Sequence, residues 1–468
     1  MLFDDISFGP YDKAERKAYL AFELYEDGKI AQAISELDAA LEINPANSAW
    51  HFNKALALDA VGLFDDAIAE YEIALQANPF DLEILNSLAV DYTRIGQYDL
   101  AISTFEHLQQ LDPSFEPCYC NRIITYTEMG LHDLAEEMFY LAQQLDPDCA
   151  LCYYNIGNSI FARSQYKKAV SCWLKTAELD PAHPEINYRL AQASWACGDK
   201  DNARHYFLAE LRLNPGSIDV ILDFGLFLLQ TGCVESAKEK FNRILELAPD
   251  SAVALFYLGE IAFGAGDYEH AAKLFNDAIL KDGTLVGPRY RLAQYAIMKG
   301  QSCRAKKLLI YELNLTPEDS DVLTSMGSMF LMIDEKDYAV NCLLKAVDAD
   351  HANAQAYYYL GLANAVNNRL ESAAEFFAHA LDIKPEYVDA LRDSAIVSLA
   401  MGRIDSASEK VKKAINLSVD DPRLKALDCR IKLIQRTERI IDFFGRFQRF
   451  FSGLQVPASR KRNCRTRP

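Results

Sequence analysis

LEILNSLAVDYTRIGQYDLAISTFEHLQQLDPSF, residues 82–115, carries the pattern that decides the fold. Leu88 and Ala89 share a helical face with Tyr92, and Ala101 stands one turn before Phe105. Each half of the stretch therefore presents one apolar face with a small residue on it. Gly96 lies between the halves, where a residue that tolerates the left-handed conformation ends a helix. Pro113 follows the second half, where a helix does not continue. The stretch reads as helix, tight turn, helix and connection.

Working outward, the same phrase recurs without insertion. Pro45, Pro79, Pro113, Pro147, Pro181, Pro215 and Pro249 are 34 residues apart, and the step continues through Gly283, Pro317, His351, Pro385 and Val419. Cutting the chain at 14–47, 48–81 and onward to 388–421 gives twelve units, and alanine fills one column in all of them, from Ala33 and Ala67 to Ala373 and Ala407. Four residues further on stands a large apolar residue such as Tyr71, Phe105, Phe139, Trp173, Phe207, Phe241, Phe275 or Phe377. A second small column, including Ala55, Ala89, Gly157, Gly259, Gly327 and Gly361, is expected to let two helices approach closely. Glycine fills most turns, with Asp334 and Asn368 as substitutes.

These residues resemble the tetratricopeptide repeat, whose pattern runs L-G-x2-Y, A-x3-F and P over 34 residues. The resemblance covers residues 14–421 and implies an all-α fold, a right-handed α-solenoid of about twelve helix-turn-helix repeats. Since one unit cannot bury its apolar face alone, the array needs caps. The expected division is a lead-in over 1–13, repeats over 14–421, a capping helix over 422–435, a basic amphipathic helix over 436–454 and a basic disordered tail over 455–468. Ile123, in the small column of the fourth unit, is expected to push its helices apart. Ser394 and Ser398 replace apolar packing positions in the twelfth, which is expected to fray early.

Composition bounds the function. The chain has 468 residues, half of them hydrophobic, and a formal charge of −19, which repels the phosphate backbone and argues against a nucleic-acid partner. No run reaches the ~18 apolar residues of a membrane-spanning helix, and the opening MLFDDISFGP lacks the features of a secretory signal. Eleven cysteines in a long chain fit reduced, buried thiols, so a cytoplasmic location is expected. No phosphate-loop, HExxH or GxSxG motif is present, and neither end outside the repeats has room for a catalytic domain, so an enzyme is not expected. Cys118, Cys120, Cys149 and Cys152 give C-x-C and C-x2-C across the joint between the fourth and fifth units. Cys118 and Cys152 occupy equivalent places one repeat apart, too far for one ion unless Cys120 and Cys149 converge, so the four are expected to be packing cysteines, with no metal or cofactor.

In solenoids of the resembled family the first helix of each pair lines the concave surface, where ligands lie. Read at helical spacing, that face gives Tyr154, Asn158 and Phe161 in the fifth unit and Tyr188, Gln192 and Trp195 in the sixth. The eighth gives Phe256, Glu260 and Phe263 and the ninth Tyr290, Gln294 and Ile297, with Phe52 and Tyr358 extending the aromatic column. Amides donate and accept against a peptide backbone while aromatic rings supply contact area; the alternative is that both serve packing between repeats. The aromatic column stands where chaperone-tail clamps of the family carry Lys and Asn, which disfavours that ligand. Arg189 and Arg291 meet either acidic side chains of a ligand or the protein's own acids.

The expected function is a non-catalytic protein-protein interaction scaffold binding a peptide or helical segment of a partner in the groove. The alternative is an accessory subunit that recruits substrates to a separate enzyme. From Cys429 to Pro468 the charge is +9, against −28 for the rest of the chain. There Ile440, Phe443, Phe444, Phe447, Phe450, Phe451 and Leu454 recur at helical spacing opposite Arg439, Asp442, Arg446 and Arg449. Such a helix either completes the cap or makes contact with a partner helix or, through residues 436–468, with an anionic membrane surface.

Overall fold

A computed structural model describes residues 10–452, apart from 316–317 and 419, with side chains described from 13 to 437. Every regular element among the described residues is an α-helix. The chain forms two compact units, Met1–Ala237 and Lys238–Pro468.

The first unit contains α1 (Pro10–Glu26), α2 (Ile30–Leu41), α3 (Ser48–Ala60), α4 (Phe64–Ala77), α5 (Leu82–Arg94), α6 (Tyr98–Leu111), α7 (Glu116–Glu128), α8 (His132–Leu145), α9 (Ala150–Ala162), α10 (Tyr166–Leu179), α11 (Ile186–Ala196), α12 (Lys200–Leu213) and α13 (Ile218–Gln230). The boundary falls within α14 (Val234–Leu247). The second contains α15 (Ala252–Gly264), α16 (Tyr268–Lys281), α17 (Pro288–Met298), α18 (Ser302–Asn314), α19 (Ser320–Met332), α20 (Lys336–Ala349), α21 (Ala354–Val366), α22 (Leu370–Ile383), α23 (Val388–Ala400), α24 (Ile404–Leu417) and α25 (Pro422–Ser452). Odd-numbered helices pack on the even-numbered helix that follows, from α1 on α2 to α11 on α12 in the first unit and from α15 on α16 to α23 on α24 in the second, and odd helices also meet one another, as α5 meets α7 and α7 meets α9 in the first unit and α19 meets α21 in the second.

Each pair turns on a left-handed residue. At Gly96, with φ of 76°, the Gln97 amide reaches back to the Tyr92 carbonyl at 2.8 Å and closes the end of α5. Where glycine is missing, Asp334 and Asn368 take the same conformation, and so does Ser164, which the glycine pattern alone does not flag.

The small column accepts the large one. A Cβ on Gly157 would stand 2.4 Å from Nε1 of Trp173, and one on Gly259 would stand 2.6 Å from the Phe275 ring. The close approach is thus between a ring on the second helix and the backbone of the first, rather than between two small residues. In the fourth pair Ile123 occupies that space and is fully buried. Its partner Phe139 is 9% exposed, whereas Phe105 and Phe207 are at 0%, and its ring meets Tyr153 edge-on at 5.3 Å.

Two segment boundaries differ from the sequence expectation. α1 begins at Pro10, inside the expected lead-in, and α25 runs unbroken through residues 435–436, where a capping helix and an amphipathic helix were to separate. Nothing at that junction breaks a helix, since the sequence IQRTER contains neither Gly nor Pro. Leu424 and Ile431 of α25 are fully buried against the Leu391–Ala414 and Ala395–Ala407–Val411 clusters. The side chains of Ile440, Phe443, Phe444, Phe447, Phe450 and Phe451, and all of 453–468, lie outside the described residues.

Candidate interaction surface

The 34-residue period places residue n of one first helix beside residue n+35 of the next, and polar pairs recur at that spacing. In the first unit, Asn121 Nδ2 donates to Asn86 Oδ1 at 3.0 Å, Asn155 Nδ2 to the Cys120 carbonyl at 3.2 Å, and Arg189 Nε to the Tyr154 hydroxyl at 3.3 Å. The Tyr188 hydroxyl donates to Asp223 Oδ2 at 2.7 Å, and Trp195 Nε1 donates to Gln230. In the second unit the Tyr358 hydroxyl donates to Asp393 Oδ2 at 2.9 Å. The acceptors Asp223, Gln230 and Asp393 escape a search for aromatic-amide triplets. Their signal in the sequence is a polar residue 35 positions beyond a polar or aromatic one.

Of the expected site residues, Tyr154, Tyr188, Trp195 and Tyr358 take part in this ladder. In the first unit Phe52, Tyr154, Asn158, Phe161, Tyr188, Gln192 and Trp195 are half-buried. Phe52 leans on Tyr71 with ring centres 5.9 Å apart, and Phe161 meets Tyr166 edge-on at 5.1 Å. Tyr154 lies 4.3 Å from the His183 ring. Gln192 is not free: its Nε2 donates to Asp223 at 3.0 Å, sharing that carboxylate with Tyr188. Burial, and then the Asp223 acceptor, raise the Tyr188 hydroxyl above its ordinary range, so it stays a donor. Asn158 has no side-chain hydrogen bond among the described residues.

In the second unit Phe256, Tyr290 and Gln294 are half-buried and Tyr358 is buried. Phe256 packs on Phe275 at 5.9 Å. Arg291 makes a bidentate pair with Glu260, both contacts at 2.6 Å, and donates to Gln294 Oε1 at 3.1 Å. Its guanidinium lies 5.0 Å from the Tyr290 ring centre and 5.5 Å from that of Phe263. Burial works to lower the Arg291 pKa, but the Glu260 hydrogen bonds and charge outweigh it and raise it, so this arginine is committed to the protein's own acid. Tyr358 is raised by burial and by Asp393.

The cysteines divide. Cys118 turns into the preceding repeat, where it packs in the cluster of Leu88, Ala101 and Phe105 and donates to the Phe105 carbonyl at 3.3 Å. Cys120, Cys149 and Cys152 instead converge with Glu116, all four donor atoms lying within 4.8 Å of one another. Helical geometry separates them, since Glu116 and Cys120 share a face of α7 that Cys118 does not.

The Tetratricopeptide repeat profile matches residues 20–81, 52–114, 154–218, 222–284 and 336–388, and a second profile of that description matches 367–428. The chain belongs to the tetratricopeptide repeat family. Among curated proteins, it is 28% identical over 99 residues to the peroxisomal targeting signal receptor of Candida glabrata, covering 21% of this chain and 17% of that one. The receptor of Kluyveromyces lactis is 28% identical over 105 residues, covering 22% and 19%. The match thus spans under a fifth of either receptor. Among solved structures, a chain of the APC/C hetero-tetramer Cut9-Hcn1 is 13% identical over 90% of this chain and 96% of its own, with a TM-score of 0.44. Yeast Tom70 is 15% identical over the same shares, with a TM-score of 0.40. No helix among the described residues of this tetratricopeptide repeat protein is long and apolar enough to cross a membrane.

Proposed function

We propose that the chain is a non-catalytic, cytoplasmic scaffold whose twelve repeats take a peptide or helical segment of a partner protein along their first-helix faces. The observation that supports this is the aromatic platform on α9 and α11. Tyr154, Tyr188 and Trp195 expose part of each ring while the polar tip is tied to the next repeat. A ring fixed in this way has lost its rotamer freedom before a ligand arrives, so contact costs little further entropy. Asn158, on the same helix as Tyr154 and without an internal partner, supplies a donor and an acceptor for a peptide backbone. Phe256, Tyr290 and Gln294 are the corresponding surface of the second unit. The net charge of −19 favours a protein over nucleic acid as the ligand. Family membership and the local similarity to receptors named for a targeting signal point to the same class of ligand.

Affinity purification of the full chain from its native cells, beside a Tyr154→Ala/Asn158→Ala variant of unchanged circular dichroism, tests this. Loss of an aromatic anchor and a backbone contact is expected to cost ~2 kcal/mol or more, roughly thirty-fold in affinity. Partners recovered in equal yield by both proteins would remove the platform from recognition.

A further inference from the structure

α7 and α9 begin side by side, and their first turns bring four donor atoms together. Glu116 opens α7 and Cys120 follows one turn later, while Cys149 is the N-cap of α9 and Cys152 lies in its first turn. Their carboxylate and thiol atoms lie within 4.8 Å of one another. Cys120 and Cys152 are each 1% exposed, and Glu116 and Cys149 are half-buried, so the cluster is lined by protein with one side toward solvent. The repeat itself does not demand this set. One period earlier the same positions hold Leu82, Asn86, Phe115 and Cys118. Packing cysteines need only apolar neighbours, and a carboxylate among three of them serves no packing purpose.

We propose that Glu116, Cys120, Cys149 and Cys152 form a mononuclear Zn²⁺ site that joins the fourth and fifth repeats. Tetrahedral zinc holds sulfur at about 2.3 Å and carboxylate oxygen at about 2.0–2.2 Å, which places ligands about 3.8 Å apart. The present spacing reaches that with small rotamer adjustments. Three sulfur donors of four select zinc over magnesium or calcium, which require oxygen shells. On binding, the three thiols release their protons to solvent as Zn–S bonds form, with no change in oxidation state. The anionic ligands sit at the positive ends of two helices. Outer-shell donors are in place: the Cys152 amide donates to Cys149 Sγ at 3.3 Å, and Asn155 Nδ2 donates to Cys120 Sγ at 3.4 Å. Cys152 Sγ donates to Glu116 Oε1 at 2.9 Å, a bond that coordination of the ion replaces.

The full chain, expressed in zinc-supplemented medium and purified under reducing conditions without chelator, is expected to carry one zinc per chain by elemental mass spectrometry. Chelator-stripped protein titrated with Co²⁺ is expected to show the intense thiolate charge-transfer and tetrahedral d–d bands at one equivalent. Cys149→Ser is expected to abolish both signals and Glu116→Gln to weaken metal affinity at least tenfold, while Cys118→Ser, one repeat position away and turned elsewhere, keeps both. Zinc below stoichiometry in the wild type, equal metal in Cys149→Ser, or a Cys149–Cys152 disulfide in freshly reduced protein would each overturn the site. The wild-type measurements decide the matter even where a variant does not fold.

Discussion

Asp91 is 1% exposed and only half satisfied. Its Oδ1 accepts from Arg94 at 3.0 Å, while Oδ2 has no partner. Burial and then the neighbouring Asp59 charge push its carboxyl from 3.8 up to about 6, against the pull of Arg94. The folded chain therefore binds a proton between these values that the unfolded chain has already lost, so this residue's contribution to stability is highest below pH 4 and falls as pH rises to 6. Asp91→Asn keeps an acceptor for Arg94 and removes the buried charge. It is expected to raise stability at pH 7 by about 1–2 kcal/mol and to flatten the slope between pH 4 and 6 in denaturation measurements at each pH. Unchanged slope would show that Asp91 titrates normally. Gly157 belongs to the same scale for a different reason: an alanine Cβ would meet the Trp173 indole at 2.4 Å. Gly157→Ala is expected to cost about 1–3 kcal/mol through overpacking, with most of it recovered in the Gly157→Ala/Trp173→Leu double variant. Equal loss in the double variant would place the strain elsewhere.

At the scale of elements, the twelfth helix pair carries a polar interior where its pattern calls for apolar residues. Ser394 and Ser398 of α23 are 1% and 2% exposed, and Lys410 Nζ of α24 donates to both, at 2.7 and 3.0 Å. Burial lowers the Lys410 pKa, the mark of a charge held where an apolar side chain would be more stable. Amide exchange is expected to be faster over 388–417 than over 48–111, and Lys410→Met with Ser394→Ala and Ser398→Ala is expected to slow it. Equal protection of the two segments would contradict this. The helix pairs, their turns and the columns that pack them were legible because each rests on spacing along one helix, where period alone decides which residues meet. The serines were legible as departures from that spacing, but Lys410, which answers them, was not, since it comes from the facing helix. The surface was legible only as residue types on the first helices. That Gln192 is bound to Asp223, that Arg291 is paired with Glu260, and that Glu116 joins the cysteines depend on contacts between successive repeats, which a single-unit pattern omits.

For the molecule as a whole, the central claim is that a partner protein lies on first helices while second helices supply the packing behind them. The exposed aromatics allow this to be read directly. Tyr154, Tyr188 and Trp195 stand on first helices, whereas Tyr140 of α8 and Tyr311 of α18 are both 55% exposed on second helices. Hydroxyl-radical footprinting of the full chain, alone and with its co-purified partner, measures each ring's access to solvent by mass spectrometry. Oxidation of Tyr154, Tyr188 and Trp195 is expected to fall several-fold in the complex while Tyr140 and Tyr311 keep their rates. Protection of Tyr140 or Tyr311 with the three first-helix rings unchanged would contradict the account.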